Sequence, residues 1–129
     1  MAITKVTGAL LGNYTGGSAD DTVVIGDGAG DAITTGTDNT FIGDNAGSAI
    51  TTASYNVAIG ADALLVNTTG AKNSAVGVSA LVANTTASFN NAFGYESLKA
   101  NTTGAENSAF GHFSLGVNTT GGNNVAVGS

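Results

Sequence analysis

Cysteine, proline and tryptophan are absent from this chain of 129 residues, and only three residues are Lys or Arg. Without cysteine there is no disulfide and no thiolate chemistry, and the redox compartment cannot be read. With nine acidic residues, three basic ones and a formal net charge of −6, the chain lacks the clustered Lys and Arg that phosphate-backbone binding requires. Nucleic acid is therefore not an expected partner. No apolar run approaches the roughly 18 residues needed to cross a bilayer, so no membrane insertion is expected. The opening stretch MAITKVTGALLG carries one Lys and a very short apolar patch, too little for a secretory signal. Aromatic residues make up 6% of a chain that is 42% hydrophobic, so a core must be thin and built mostly from Ala, Val, Ile and Leu.

What is abundant is glycine, and its spacing is regular. The Gly that follows VVI, TFI, VAI, SAV, NAF, SAF and VAV falls at Gly26, Gly43, Gly60, Gly77, Gly94, Gly111 and Gly128, each 17 residues after the last. Asn39, Asn56, Asn73, Asn90, Asn107 and Asn124 stand four residues before their Gly. Asn67, Asn84, Asn101 and Asn118 form a second Asn column, Leu64, Leu81, Leu98 and Leu115 a Leu column, and Thr pairs recur from Thr34 and Thr35 to Thr119 and Thr120. Self-similarity at a fixed short period is the signature of a repeat architecture.

Seventeen residues are too few for a helical pair, and no stretch places apolar residues at i, i+3, i+4 and i+7 over three turns. The segment before each Gly has the alternation of a short strand, and NTTG has turn chemistry. The expected fold is all-β: a parallel β-solenoid with one coil of two short strands and two turns per repeat, each strand pairing with its equivalent about 4.8 Å along the axis. Residues 18–129 then make seven coils, roughly 33 Å tall, the last incomplete. Residues 1–17 fall outside the columns and are expected to be a cap or attachment segment. A bare solenoid end exposes unpaired edges, so the chain is expected to be a fragment or to be capped by another subunit.

Each column has an expected task. Ile25, Ile42, Ile59, Val76, Phe93, Phe110 and Val127 form a bulky row expected to point inward against the Leu column. Ala58, Ala75, Ala92, Ala109 and Ala126, on the opposite face of the strand, are expected to present a flat surface that a neighbour can approach. The Gly column suggests positive φ or a tight backbone contact. The Asn columns, Asn56, Asn73, Asn90, Asn107 and Asn124 among them, are expected to hydrogen-bond up and down the stack and satisfy turn amides.

Few residues suggest chemistry. The single His112 has no Cys, second His or carboxylate at catalytic or metal-ligand spacing. It lies just after Gly111, where other coils carry Asp27, Asp44, Ala61, Val78 and Tyr95, and such variety suits a solvent- or partner-facing position. Tyr95, His112 and Phe113 are the candidate contact surface. Six of the seven Asp lie between Asp20 and Asp44. Asp21 and Asp38 are one period apart, as are Asp27 and Asp44, and each stacked pair would repel unless solvated or bridged by a cation, so these four are the calcium candidates. GDGAGD does not keep the GGxGxD register of calcium-binding nonapeptide repeats. Stacked Thr raises ice binding as an alternative, but adjacent Thr point to opposite faces and only one column can face outward. The N-x-T triplets at Asn67, Asn84, Asn101 and Asn118 follow from the repeat. The chain is expected to be non-enzymatic and to use no cofactor.

The segments NVAIG (Asn56 to Gly60), NSAVG (Asn73 to Gly77), NSAFG (Asn107 to Gly111) and NVAVG (Asn124 to Gly128) resemble the SVAIG-type motif of YadA-like head domains in trimeric autotransporter adhesins. The NTTG-x-x-N-S-A-x-G phrasing also resembles repeats of bacteriophage tail-fibre proteins. The resemblance covers about residues 22–129, and the period departs from that of the adhesin head, whose repeat is typically shorter. It implies a left-handed parallel β-roll and a homotrimer. A thin coil with one flat face also gains burial by packing on copies of itself. An adhesin carries a signal peptide and a membrane anchor, neither of which is seen here, whereas a fibre assembled in the host cytoplasm needs neither. The expectation is a rigid trimeric segment of a phage tail fibre or virion appendage, joined through residues 1–17 to the virion or fibre base and supporting attachment to a host surface receptor. The alternative is the head fragment of a bacterial surface adhesin.

Overall fold

Each repeat contributes one three-residue strand, because only the segment between the Asn and Gly columns is extended. The computed structural model describes residues 22–129, and the expected attachment segment 1–17 lies outside them. The strands are β1 (Val23–Ile25), β2 (Thr40–Ile42), β3 (Val57–Ile59), β4 (Ser74–Val76), β5 (Asn91–Phe93), β6 (Ser108–Phe110) and β7 (Val125–Val127). They form one parallel sheet in sequence order, with each residue opposite its equivalent one period on, as in Ala58 with Ala75 and Ala75 with Ala92. The period of 17 is thus one coil, and the chain is an all-β parallel solenoid.

The second strand expected in each coil is absent among the described residues. In its place the chain bends around the Thr pairs in every described coil. In the later coils the preceding Asn closes that bend on its own backbone: Nδ2 of Asn67, Asn84, Asn101 and Asn118 donates to the carbonyl three residues on, at 2.7 to 3.0 Å. Such a local bond closes a turn and competes with an extended conformation. Coils still stack there through isolated backbone bonds, such as Leu64 N to Ala80 O at 3.1 Å and Thr68 N to Thr85 O at 2.8 Å.

The inward and outward rows of the strand are the reverse of the expectation. Val24, Phe41, Ala58, Ala75, Ala92 and Ala109, at the strand centres, are buried, while the Ile25 to Val127 row points out. The reason is volume. Leu64, Leu81 and Leu98 are fully buried and fill the interior from the opposite wall, leaving room for no more than a methyl group on the strand. The first two coils solve the same problem with the large group on the other wall. Gly30 and Gly47 occupy the Leu column, and a Cβ on Gly47 would stand 2.6 Å from the Phe41 ring. Phe41 on the strand replaces Leu on the turn, and Ile50, fully buried, replaces the Asn of later coils. Close packing makes such paired changes necessary.

The corners are made by left-handed backbone. The Gly column has φ between 119° and 139°, and a Cβ on Gly60 would stand 2.6 Å from the Gly77 carbonyl, so both reasons inferred for glycine hold. Three further columns take φ from 52° to 62° without glycine: Asp38 to Asn123, Asn45 to Phe113, and Leu64 to Leu115.

Candidate functional site

Two ladders of buried amides fix the coils in register and thereby set the surface. Backbone N–H groups of Asn56, Asn73, Asn90, Asn107 and Asn124 donate to Oδ1 of the Asn one coil earlier at 2.9 to 3.1 Å. Nδ2 of Asn73, Asn90, Asn107 and Asn124 donates to the same oxygens at 2.9 to 3.3 Å. In the second ladder Asn84 donates to Asn67, Asn101 to Asn84 and Asn118 to Asn101, at 3.0 to 3.2 Å. Among the described residues no buried side-chain nitrogen or oxygen lacks a partner. These Asn serve structure as expected, and the amide nitrogens of the N-x-T triplets are tied up inside the stack.

With the buried polar groups satisfied internally, the outer side of the sheet carries a continuous file of apolar side chains among the described residues. Ile25, Phe93 and Phe110 are 36%, 37% and 41% exposed, and Ile42, Ile59 and Val76 are half-buried. Phe93 and Phe110 stack with ring centroids 5.2 Å apart and planes 8° from parallel. Beside this row runs a second outward row of Val23, Thr40, Val57, Ser74, Asn91, Ser108 and Val125, the residues that begin each strand. Contiguous exposed apolar side chains are the kind of surface at which proteins meet partners.

A variable row flanks each end of the strands. After the Gly column come Asp27, Asp44, Ala61, Val78, Tyr95 and His112. Tyr95 and His112 are exposed and stack at 5.4 Å with planes 6° apart, and Phe113 lies 6.4 Å from His112. The structure therefore brings the three predicted contact residues together. Beside them Glu96 meets Lys99 at 2.9 Å, and the hydrogen bond from that ammonium holds its carboxyl below the ordinary value. Before the Asn column comes a row that sequence reasoning missed: Asp38, Tyr55, Lys72, Phe89, Glu106 and Asn123, all exposed. The Lys72 ammonium lies 5.1 Å from the Phe89 ring centroid. This column varies as freely as the one containing His112, which is the signal that could have found it.

The remaining candidates do not assemble. Asp27 and Asp44 lie past the C-terminal ends of β1 and β2, whereas Asp38 precedes β2, and Asp21 is outside the described residues. Among the described residues no group of three or more His, Asp or Glu is placed to hold a metal ion. The first Thr of the pairs from Thr34 to Thr102 spends its hydroxyl on the stack, as in Thr34 to the Thr51 carbonyl at 3.0 Å and Thr102 to that of Thr119 at 3.0 Å. The second, Thr35 to Thr120, is exposed on a bend and not on a strand. Comparison of the chain with protein-family models, curated proteins and solved structures gives no match, so the reading of this surface rests on its own residues.

Proposed function

We propose that this chain is a structural, non-enzymatic rod segment: a left-handed β-solenoid that assembles as a homotrimer through its outer strand face, in a bacteriophage tail fibre or virion appendage that supports host attachment. The observation that carries the reading is the apolar strand face. The seven strands present Ile25, Ile42, Ile59, Val76, Phe93, Phe110 and Val127 in one file, and in a lone chain Ile25, Phe93, Phe110 and Val127 are exposed while Ile42, Ile59 and Val76 are half-buried. Burying it against copies of itself removes the apolar surface at about 25 cal/mol per Å².

The mechanical role follows from the ladders. From the second coil on, each coil is bonded to the next by three strand residues, a ladder Asn and a Thr hydroxyl, so bending or local opening breaks several bonds together. Such a stack is a spacer that holds an adhesive part away from a particle. Residues 1–17 are assigned to the virion or fibre base, and the exposed cluster of Tyr95, His112 and Phe113 is available to a second molecule. The resemblance of NVAIG and NSAVG to adhesin-head motifs supports the trimer and leaves a bacterial surface adhesin as the second reading.

Light scattering on the purified chain tests the assembly. A mass near three times 12.4 kDa that persists on dilution and with chelator supports it. A stable monomer removes the trimeric rod, and assembly that requires calcium transfers the argument to the Asp residues.

A further inference from the structure

The two variable rows lie at opposite ends of the strands, yet they vary together. Coil by coil they hold Tyr55 with Ala61, Lys72 with Val78, Phe89 with Tyr95, Glu106 with His112 and Asn123 with Ser129. The members match in chemistry: a ring against a methyl group, an aliphatic stem against Val, ring against ring, carboxylate against imidazole, amide against hydroxyl. Coils 1 and 2 oppose like groups instead, Asp21 with Asp27 in the sequence and Asp38 with Asp44. Within one chain the two rows are separated by the whole strand, about 10 Å for three residues before the flanking positions are added. The contacts made by these side chains run along their own rows instead, as in the Tyr95–His112 stack and the Lys72–Phe89 pair.

A second observation points the same way. Tyr55 and Phe89 hold φ of 62° while 59% and 50% exposed. A left-handed aromatic residue is conformationally costly, by about 1–2 kcal/mol, and in a lone chain neither ring is buried in return. Asp38 and Asn123 show what the corner itself prefers.

We infer that these rows are the two halves of one seam between copies of this chain, with Phe89 seated on the neighbour's Tyr95 and Glu106 on its His112. The inference rests on the trimeric reading, and it follows from symmetry. A rotation axis parallel to the solenoid moves nothing along that axis, so each coil meets the same coil of its neighbour. With the strand faces turned to the axis, the end of each strand in one chain adjoins the start of the equivalent strand in the next. The seam is thus heterologous and closes on itself. The row assigned from sequence to an outside contact is used inside the assembly. Coils 3 to 7 attract across it, while the two acidic coils repel: coil 2 sets three Asp38–Asp44 oppositions in each trimer, and coil 1 carries Asp21 and Asp27 in the same columns of the sequence.

The absence of native cysteine makes a direct test clean. Glu106→Cys with His112→Cys in one chain, and separately Phe89→Cys with Tyr95→Cys, are oxidised and run on a non-reducing gel beside the mismatched pair Glu106→Cys with Val78→Cys, which is two coils out of level. A disulfide needs Cα atoms within about 7 Å, so an intrachain bond across the strand is excluded and would in any case leave monomer. The expected result is covalent dimers and closed trimers from both matched pairs, at least tenfold above the mismatched pair. A trimeric mass by light scattering with equal cross-linking from matched and mismatched pairs overturns the seam and leaves the trimer standing. A monomeric mass for the unsubstituted chain overturns the trimer and the seam with it.

Discussion

Asn73 shows how much one side chain carries in this fold. Its Nδ2 donates to the Ala87 carbonyl at 2.9 Å and to Asn56 Oδ1 at 3.3 Å, and its own Oδ1 accepts from the Asn90 backbone N–H at 3.0 Å and from Asn90 Nδ2 at 3.3 Å. Asn73→Ala strands several of these groups in a buried site, and unfolding in denaturant is expected to lose on the order of 3 kcal/mol. Asn124→Ala, at the half-exposed end of the same ladder, is expected to cost under about 1 kcal/mol, so equal losses would argue against the ladder. At the surface, the Lys99 ammonium depresses the Glu96 pKa. A carboxyl whose folded pKa lies below its unfolded one favours folding above the unfolded pKa, and that contribution fades as pH falls through the folded value. The pair lies at the surface, partly open to solvent, and its effect on stability is small. The direct readout is NMR titration: Lys99→Ala should move the Glu96 midpoint up toward the ordinary carboxylate range.

At the scale of one coil, the interior is a fixed volume filled from either wall. Phe41 with Gly47 in coil 2 does the work of Ala75 with Leu81 in coil 4. Phe41→Ala leaves a cavity and is expected to cost about 3–5 kcal/mol. Gly47→Leu alone drives a Cβ into the Phe41 ring, although its φ of 61° lies close to the 52° that Leu64 accepts. The double substitution rebuilds the arrangement of the later coils. It is expected to be more stable than either single variant, with a coupling of more than about 1 kcal/mol in a double-mutant cycle of thermal or denaturant unfolding. Additive losses would show that the two walls do not share one space.

For the whole molecule, fold and assembly separate cleanly, because the residues that build the coil point in and those proposed to join copies point out. Phe93→Ser with Phe110→Ser removes two stacked rings that are 37% and 41% exposed in the single chain. The β-signal in circular dichroism is expected to persist while light scattering falls from trimer to monomer. Loss of the β-signal at low temperature would mean that the coil cannot stand without its neighbours. Asp38→Lys, in a row where Lys72 already holds the same left-handed backbone, replaces the like-charged opposition at coil 2 with an attractive one. It is expected to raise the temperature at which the trimer dissociates.

The period, the parallel stacking and the task of the Asn and Gly columns are legible in the chain itself, because each depends on what recurs every 17 residues. Identical residues one coil apart must lie above one another in any solenoid, so Asn56, Asn73 and Asn90 form a ladder wherever the coil happens to turn. The number of strands per coil is less legible: the Thr pairs lie on bends, closed in the later coils by side chains such as Asn67 onto Gly70, and no second strand forms among the described residues. Least legible is which side of the strand faces in. Alternation has a period of two and admits either parity, and taking the bulkier row as the core is right only where the interior has room for it. Here the buried Leu64, Leu81 and Leu98 occupy that room from across the coil, so Ala58, Ala75 and Ala92 turn inward and Ile59, Val76 and Phe93 turn out. That choice is made by the volume between two walls, a property of the closed coil and not of any segment of it.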